Sequence, residues 1–393
     1  MNVIFIAPGF LSTKGYSGGS TNIIHLAKGL NKRGARITII TSKAGEKILR
    51  DAHVEGNYKL IDNRQEMSTA LPVVIFTMLI RMIKVCLLFA RKRLDEGTVV
   101  YAVSELIWDE FPLIFVRGKN TKRISFFCMP FPSPLSGYKG AFTGRGLPDL
   151  RATLGFIQQW FSFICFRHVS DCIVTPSNLN DFLINIKIPQ EKITTYAPGV
   201  DWDFINNITA GERIYDACWI GRYHAMKGLE DLLEVWEEVC QVKPEAKLVL
   251  MGDVVEQLEP LIKQNHLEEN IRLTGAVSEE EKFKIMKESK IFVFPSYYES
   301  WNRAICEAMA CDLPAVAYDL PVYKDTYPEG MVTVPIGDKK ALTNEIMRVL
   351  ENDEERETLS RQAKEVALLY DPDQIAQGFV EAVRRIEARQ GAD

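Results

Sequence analysis

Two glutamates within residues 291–315 have a spacing that suits ligand binding. The segment, IFVFPSYYESWNRAICEAMACDLPA, opens as an apolar strand, breaks at Pro295, and places Glu299 and Glu307 eight positions apart. Eight residues are just over two helical turns. A helix that begins near Ser300 therefore has Glu307 on an inward face and Glu299 in the loop before it, where free N–H groups favour an anion. The alternative is a simple N-cap at Glu299 and a solvated helix face at Glu307.

A basic pair upstream favours the ligand-binding interpretation. Residues 218–228 read CWIGRYHAMKG, a strand that ends at Gly221 with Arg222 and Lys227 close behind it. Open α/β sheets bind ligands at the carboxyl ends of their strands, and two cations there can hold a diphosphate. His224 fits either a phosphate contact or a solvated loop. A diphosphate clamp combined with two carboxylates for hydroxyl groups predicts a nucleotide-sugar site.

The order of these motifs resembles the donor domain of the retaining family-4 glycosyltransferases of the GT-B architecture. The segments that carry the resemblance are GRYHAMKG, LVLMGD, IRLTGAV and FVFPSYYESWNRAICEAMACDLPAVAYD. In the N-terminal half, VIFIAPGFLSTKGYSGGSTNIIHLAKGLNKRGARITIITS resembles the family's first strand, glycine loop and helix. VTPSN at 174–178 and TYAPGVD at 195–201 resemble its last strands before the linker. The resemblance covers nearly the whole chain.

This resemblance implies a role for each motif residue. Arg222 and Lys227 would stabilise the charge on the leaving diphosphate and, with Glu299, form the catalytic set. Glu307 would bind the ribose hydroxyls, and Glu299 would hold a hydroxyl of the donor sugar. The two glycines of the first-half loop would let the backbone approach the diphosphate. The implied donor-binding set is Gly18, Gly19, Gly221, Arg222, Lys227, Glu299, Ser300, Trp301, Asn302, Arg303 and Glu307.

The implied reaction moves a hexose-type sugar from a nucleoside diphosphate sugar to a glycan, a lipid-linked acceptor or a small molecule. We expect neither a metal nor a permanently bound cofactor, because fixed positive charge meets the leaving group. The five histidines show no metal-ligand spacing. The D-x-D tripeptides at 201–203 and 371–373 lie at the expected linker and at a helix start, where Asp is an ordinary cap.

Several positions depart from the family's pattern. Asn302 and Asp312 replace glycines, and Asn tolerates a positive φ better than most residues. The loop at 126–134, FFCMPFPSP, lacks the acceptor-side histidine that many relatives carry, which leaves Glu105 as the candidate for acceptor activation. Two alternatives therefore stay open: a sugar-nucleotide epimerase of the same architecture and a catalytically silent sugar-binding homologue. An epimerase would need acid and base residues on both sides of the sugar, which the sequence does not reveal.

Strand and helix signals alternate, which is typical of parallel sheets covered on both faces. We expect two Rossmann-like domains whose sheets face a central cleft. Residues 1–203 form the acceptor-side domain, completed by a C-terminal helix at 372–393, and residues 204–371 form the donor domain. Strands are predicted at 2–7, 36–41, 98–103, 123–128, 171–175, 193–196, 215–220, 246–251, 271–274, 291–294 and 314–318.

Charge divides the chain into two unlike halves. Residues 1–205 hold 25 Lys and Arg against 16 Asp and Glu, a net charge of +9, whereas residues 206–393 hold 22 against 36, a net charge of −14. A basic first domain suits an anionic partner, either a membrane surface or a phosphate-bearing acceptor. Nucleic acid is not expected, since the cations lack interleaved aromatic residues.

The apolar run at 71–90 bears on the same question. Arg81 and Lys84 interrupt it, and the basic cluster 91–93 follows. Because a charge at the centre of a span is costly, we reject a transmembrane helix. A buried helix of the first domain and a helix lying on a membrane with its cations at the headgroups both fit, and the run at 156–166 invites the same two interpretations. With no signal peptide and no paired cysteines, we expect a cytoplasmic protein, peripheral on the inner membrane face.

Overall fold

Apolar segments that alternate with helices form two separate parallel sheets. The structure, a computed structural model, describes residues 1–10, 18–67, 70–131, 150–176, 179–195 and 197–390. The described residues divide into two compact units. The first unit contains those up to 131, 150–199 and 372–390, and the second contains 200–371.

The first sheet has seven strands in the order β3-β2-β1-β4-β5-β6-β7, and every pair is parallel. Its central strands are almost wholly buried, as expected for a sheet covered on both faces. The strands are β1 Asn2–Ala7, β2 Arg36–Ser42, β3 Asn57–Asp62, β4 Val99–Ala102, β5 Lys122–Phe126, β6 Cys172–Thr175 and β7 Ile193–Thr195.

Helices cover both faces of this sheet. They are α1 Gly18–Lys32, α2 Lys43–Asp51, α3 Leu71–Arg91, α4 Ile107–Glu110, α5 Leu150–His168 and α6 Asn180–Asn185, with a 3₁₀ turn at Phe111–Phe115. Parallel crossovers are right-handed. The reversal of strand order at β1 therefore places α1 and α2 on one face, and α3, the turn and α5 on the other. The contacts agree, since α3, α4, the 3₁₀ turn and α5 pack together.

The last helix, α15 Pro372–Gln390, packs on α1 in the first unit. Gly29 permits this approach, because a Cβ there would lie 2.0 Å from the Pro372 carbonyl oxygen. Arg33 pairs with Asp373 at 2.9 Å. The chain thus returns to its first sheet after completing the second.

The second sheet has six parallel strands in the order β10-β9-β8-β11-β12-β13. They are β8 Tyr215–Ile220, β9 Leu248–Met251, β10 Ile271–Gly275, β11 Ser289–Phe294, β12 Ala315–Tyr318 and β13 Met331–Val334. The order again reverses at the first strand, so the carboxyl ends of β8 and β11 mark the expected ligand position. The helices are α7 Trp202–Asn207, α8 Leu229–Val242, α9 Val255–Gln264, α10 Glu279–Lys287, α11 Arg303–Ala310, α12 Pro321–Thr326, α13 Lys339–Glu351 and α14 Asp353–Leu368.

The predicted α/β class with two parallel sheets is confirmed, and each of the eleven predicted strands has a counterpart. Two strands were not predicted, β3 and β13. Each lies at the edge of its sheet and is only partly buried. An edge strand packs against one neighbour only, so it does not need the long apolar run that reveals a central strand.

Helix α3 is the apolar run of the first half. By length and composition it could cross a membrane, with a third of its most apolar window buried. Its central Arg81 is 1% exposed, pairs with Asp62 at 3.0 Å and donates to the carbonyl oxygens of Pro8 and Phe10 at 2.6 and 2.7 Å. These bonds fix one face of α3 to the first unit.

Candidate active site

The loop after β8 begins the site. The Gly221 N–H donates to the Met251 carbonyl, so the loop leaves the sheet beside β9. His224 caps a short 3₁₀ turn at Ala225–Lys227, where its Nδ1 accepts from the Met226 N–H at 3.2 Å. Burial, with nearby positive charges, lowers the pKa of His224. The neutral imidazole can accept this hydrogen bond, so the turn has a local cap.

Gly228 joins this loop to the one after β11. Its φ is +62°, and a Cβ there would lie 1.9 Å from the Pro295 carbonyl oxygen. A side chain would therefore meet two obstacles, the left-handed backbone and a clash with a neighbouring main chain. The predicted phosphate loop and the predicted sugar-binding loop meet at this glycine.

Lys227 and Glu299 are paired across the two loops. The Lys227 Nζ lies 2.6 Å from the Glu299 Oε1, with side chains 18% and 9% exposed. The Ser296 hydroxyl lies 2.8 Å from the same carboxylate oxygen, and the Lys227 ammonium is 5.2 Å from the centroid of the Phe294 ring. Two residues predicted from motifs 72 positions apart are thus in direct contact.

Arg222 differs from this pair. Its side chain is exposed, and it makes no ion pair with any described residue. A guanidinium at the carboxyl end of β8 with open donors suits a diphosphate oxygen.

The helix that follows Glu299 begins at Arg303, not near Ser300 as the spacing suggested. Asn302 sets this start: it adopts a left-handed φ of +65°, and its side chain accepts from the Ile305 N–H at 3.3 Å. Its amide also donates to the Tyr323 hydroxyl at 2.7 Å. Asn302 is therefore the N-cap, and the interpretation of Glu299 as a simple cap is wrong.

Glu307 lies on the buried face of α11, and the solvated-face interpretation is also wrong. The residue is 5% exposed. Its Oε2 lies 3.1 Å from the Lys282 ammonium and its Oε1 3.2 Å from the Arg303 Nε. The two cations compensate the cost of burying this carboxylate.

Two parts of this arrangement were missed in the sequence. One is Lys282 of α10, and the only feature of the sequence that could have indicated its burial is its position next to the apolar Phe283. The other is Asp231 at the start of α8, whose carboxylate accepts from the hydroxyls of Tyr297 and Tyr318, both at 2.6 Å. This cluster ties the sugar-binding loop to α8 and β12.

The remaining predicted residues lie in less direct positions. Trp301 is 4% exposed and packs against the rings of Tyr327 and Tyr370, at 5.8 and 5.1 Å between centroids, so its side chain belongs to the core. Gly18 and Gly19 are the first residues of α1 in the first unit. Their role at a diphosphate stays a prediction.

Glu105 lies in the loop after β4 of the first unit. Its carboxylate accepts from the Cys128 N–H at 3.3 Å, and burial raises the pKa of Glu105 to about 7. Burial also raises the pKa values of its neighbours Asp109 and Glu110 well above the usual range. Of these three residues Glu105 is the least buried.

No group of three metal-ligating side chains occurs among the described residues. Both D-x-D tripeptides have structural partners. Asp201 caps α7, where it accepts from the Phe204 N–H at 3.2 Å, and Asp373 pairs with Arg33.

Comparison with known proteins finds a match in the second unit. Residues 202–366 match the family model described as glycosyl transferases group 1. The match covers most of the second unit. This segment includes both loops of the site and α11, whose residues were selected from their spacing.

A curated relative matches a segment of similar length, and solved structures match almost the whole chain. The phosphatidyl-myo-inositol mannosyltransferase of Mycobacterium leprae is 32% identical over 158 residues, 39% of this chain and 42% of that protein. The chain thus spans less than half the length of this curated relative. Sucrose-phosphate synthase from Thermosynechococcus elongatus has a TM-score of 0.73 at 16% identity, covering 99% of this chain and 100% of that one. Anabaena HepE in complex with UDP and glucose has a TM-score of 0.72 at 16% identity, covering 98% and 99%. The predicted GT-B fold class is confirmed.

Proposed function

We propose that this chain is a retaining, metal-independent glycosyltransferase. Its donor is a nucleoside diphosphate hexose, and its acceptor is a glycan, a lipid-linked sugar or a small molecule. The observation that carries the proposal is the contact of Lys227 with Glu299 across two loops that lie at the carboxyl ends of adjacent strands. The acceptor-side domain is 1–203 with 372–393, and the donor domain is 204–371.

Charge at the diphosphate is the first requirement of the reaction. When the bond between the sugar C1 and the β-phosphate oxygen breaks, its electron pair stays on that oxygen. Arg222, Lys227 and the N-terminus of α11 supply fixed positive charge, which stabilises the transition state without reorganisation. A metal is then not needed for this step.

Recognition of the donor is divided between the two carboxylates. Glu307, held between Lys282 and Arg303, accepts from the ribose hydroxyls. Glu299, which Lys227 contacts at 2.6 Å, accepts from a hydroxyl of the transferred sugar. The acceptor oxygen then forms its bond to C1 on the face that the phosphate leaves, and its proton passes to a phosphate oxygen.

The location that fits is cytoplasmic, at the inner face of a membrane when the acceptor is lipid-linked. The net charge of +9 over residues 1–205 supports an anionic surface as a partner of the first half.

Incubation of the protein with several nucleotide sugars, with and without EDTA, tests the proposal. Slow hydrolysis that releases a sugar with the anomeric configuration of the donor, followed by NMR and unchanged by EDTA, is the expected result. Release of the opposite anomer would overturn retention, and interconversion of donors would indicate the epimerase. A thermal-shift screen of nucleoside diphosphates comes first, because a ligand at 100 times its Kd stabilises by about 2.7 kcal/mol.

A further inference from the structure

One face of the first unit exposes an unusual number of large apolar side chains. On α3 they lie on the side of the helix that faces away from the sheet, and on α5 they include three aromatic side chains. Phe76 is 66% exposed and Trp160 is 56% exposed. The exposed apolar residues of this surface, here called the apolar face, are Val73, Ile75, Phe76, Leu79, Ile83, Leu87 and Leu88 of α3, Ile114 of the 3₁₀ turn, and Phe156, Ile157, Trp160, Phe161 and Ile164 of α5.

The apolar face is continuous because of the sheet topology. Right-handed crossovers put α3 and α5 on the same side of the sheet, and the 3₁₀ turn at Phe111–Phe115 packs against both. Ile114, 47% exposed, thus lies between the two helices. A contiguous apolar surface of this kind on a globular unit marks an interaction site.

Bonds on the opposite side of α3 hold this face outward. Arg81 is anchored to Asp62, and the Lys84 ammonium donates to the Ile61 carbonyl at 2.7 Å. The buried Val85 and Phe89 pack in the core of the same unit. Since the head groups of Arg81 and Lys84 bond to the protein, the outer surface of α3 before its last turn is apolar.

Charge decides which partner this face fits. Neither α3, the turn nor α5 contains an Asp or Glu. Both helices run antiparallel to the strands, so their C-terminal ends lie at the same end of the sheet. Exposed cations follow there: Arg91, Lys92 and Arg93 at the end of α3, and Arg167 with His168 at the end of α5. In a dimer formed through this face, the basic groups of the two copies would meet, and these elements contain no carboxylate that could pair with them. A bilayer offers acyl chains to the apolar residues and anionic headgroups to the basic edge.

We propose that α3, the 3₁₀ turn and α5 form a membrane-docking face that lies in the headgroup boundary of an anionic bilayer. The apolar residues insert shallowly while the basic edge contacts the lipid phosphates. Docking through this face would bring the proposed glycosyltransferase to the membrane that holds a lipid-linked acceptor. The role of the face in catalysis therefore rests on the proposed function.

Vesicle co-sedimentation tests the face with two sets of variants. Wild type should bind phosphatidylcholine vesicles that contain phosphatidylglycerol, and the double variant Phe76→Glu with Trp160→Glu should lose at least about tenfold in affinity at low and high salt. The double variant Val242→Glu with Ile336→Glu, which places the same charges on exposed apolar positions of the second unit, is the matched control and should bind as wild type does.

The salt dependence of vesicle binding separates the contribution of charge from that of apolar insertion. Charge attraction weakens as the Debye length falls from about 10 Å at 0.1 M to about 3 Å at 1 M, whereas apolar insertion persists. Changing Arg91, Lys92 and Arg93 to Ser should therefore reduce binding at low salt only. Brominated lipids should quench tryptophan fluorescence in wild type and much less in Trp160→Phe.

The outcomes distinguish this face from the proposed activity. If wild type fails to bind anionic vesicles, or the Phe76→Glu and Trp160→Glu variant binds like wild type, the membrane face is refuted. A concentration-dependent dimer that this variant abolishes, without vesicle binding, would assign the face to a second copy and also overturn it. Calorimetry with nucleoside diphosphates is independent of the face, so a wild type that binds none of them would instead refute the donor site.

Discussion

Two clusters of acidic side chains with little exposure, one in each unit, are held in different ways. In the second unit, Glu299 and Glu307 lie 2.6 and 3.1 Å from lysine ammonium groups. In the first unit, Glu105, Asp109 and Glu110 are held by hydroxyl and backbone N–H donors, and no Lys or Arg of the described residues forms an ion pair with them.

This difference determines what each group can do. A buried carboxylate beside a cation has its desolvation cost compensated, whereas burial without a cation raises the pKa of a carboxyl. The pKa of Glu105 is raised to about 7 by burial, so it changes protonation near neutrality. The cluster of the second unit thus suits the polar donor that we propose, and the cluster of the first unit suits a proton exchange.

The comparison is tested most strongly at the two cations of the second unit. Arg222→Ala and Lys227→Ala should each lower kcat by about 100-fold or more, because they remove charge that stabilises the transition state. Steady-state kinetics with the true donor measures this. Lys263→Ala, which removes an exposed lysine of the same unit, is the control and should keep the wild-type rate.

Thermal unfolding of the same variants sharpens the result. Arg222 is exposed and unpaired among the described residues, so its loss should not change Tm. Loss of Lys227 should lower Tm, because Glu299 is 9% exposed and loses its cation. A wild-type kcat in either variant would contradict its catalytic assignment.

A substitution at Gly228 tests the close contact between the loop after β8 and the loop after β11. Gly228→Ala should lower the free energy of unfolding by about 3 kcal/mol, since the Cβ would clash with the Pro295 carbonyl in addition to the backbone strain. Urea unfolding measures it. Gly337→Ala has a similar positive φ with nothing within 4 Å, so it should cost only the strain, about 1 kcal/mol. Equal costs would mean that the loop contact contributes nothing.

The two glutamates of the second unit should differ in nucleotide binding. Glu307→Gln should weaken binding of the free nucleoside diphosphate by about 2 kcal/mol, roughly 30-fold, because a charged hydrogen-bond partner of the ribose is lost. Glu299→Gln should leave this affinity within about twofold and impair transfer, since its partner is the sugar. Isothermal calorimetry with the nucleoside diphosphate alone measures both affinities. Equal losses of affinity in the two variants would contradict the separate roles of Glu299 and Glu307.

The smallest expected effect is the pH dependence of the first unit. A carboxyl whose pKa is higher folded than unfolded binds more protons in the folded state, so it lowers stability as pH rises from about 4.3 to about 7. Glu105→Gln removes this titration and should gain about 1 kcal/mol relative to wild type between pH 5 and 6. Urea unfolding at both pH values measures it, with Glu96→Gln on the surface as control. A gain that is the same at both pH values would show that Glu105 does not titrate in this range.

Residue spacing predicted the parts of the site that are local along the chain. The strand that ends at Gly221 with Arg222 behind it, and the strand that breaks at Pro295 before Glu299, are both as predicted. The start of α11 was predicted near Ser300, three residues before its actual start at Arg303. The N-cap is Asn302 at a left-handed φ, and the helix-forming residues around it gave no sign of a cap there.

Partners distant in sequence were beyond the reach of these patterns. The sequence contains Lys282, but its pairing with Glu307 arises only where α10 packs beside α11. The charge that interrupts the run at 71–90 marked α3 as unsuited to span a bilayer. Whether Arg81 has a buried partner depended on Asp62 at the end of β3, an edge strand without a central-strand pattern.

By itself the sequence determined the α/β class, the eleven apolar strands and the positions of the motif residues, because strand periodicity, glycines and charge spacing act over a few residues. Tertiary structure alone decided which carboxylates have cations, which strands lie at edges and which side of α3 is left uncovered. Those properties depend on contacts between segments tens of residues apart, and the low dielectric that gives a buried charge its effect exists only once these segments pack.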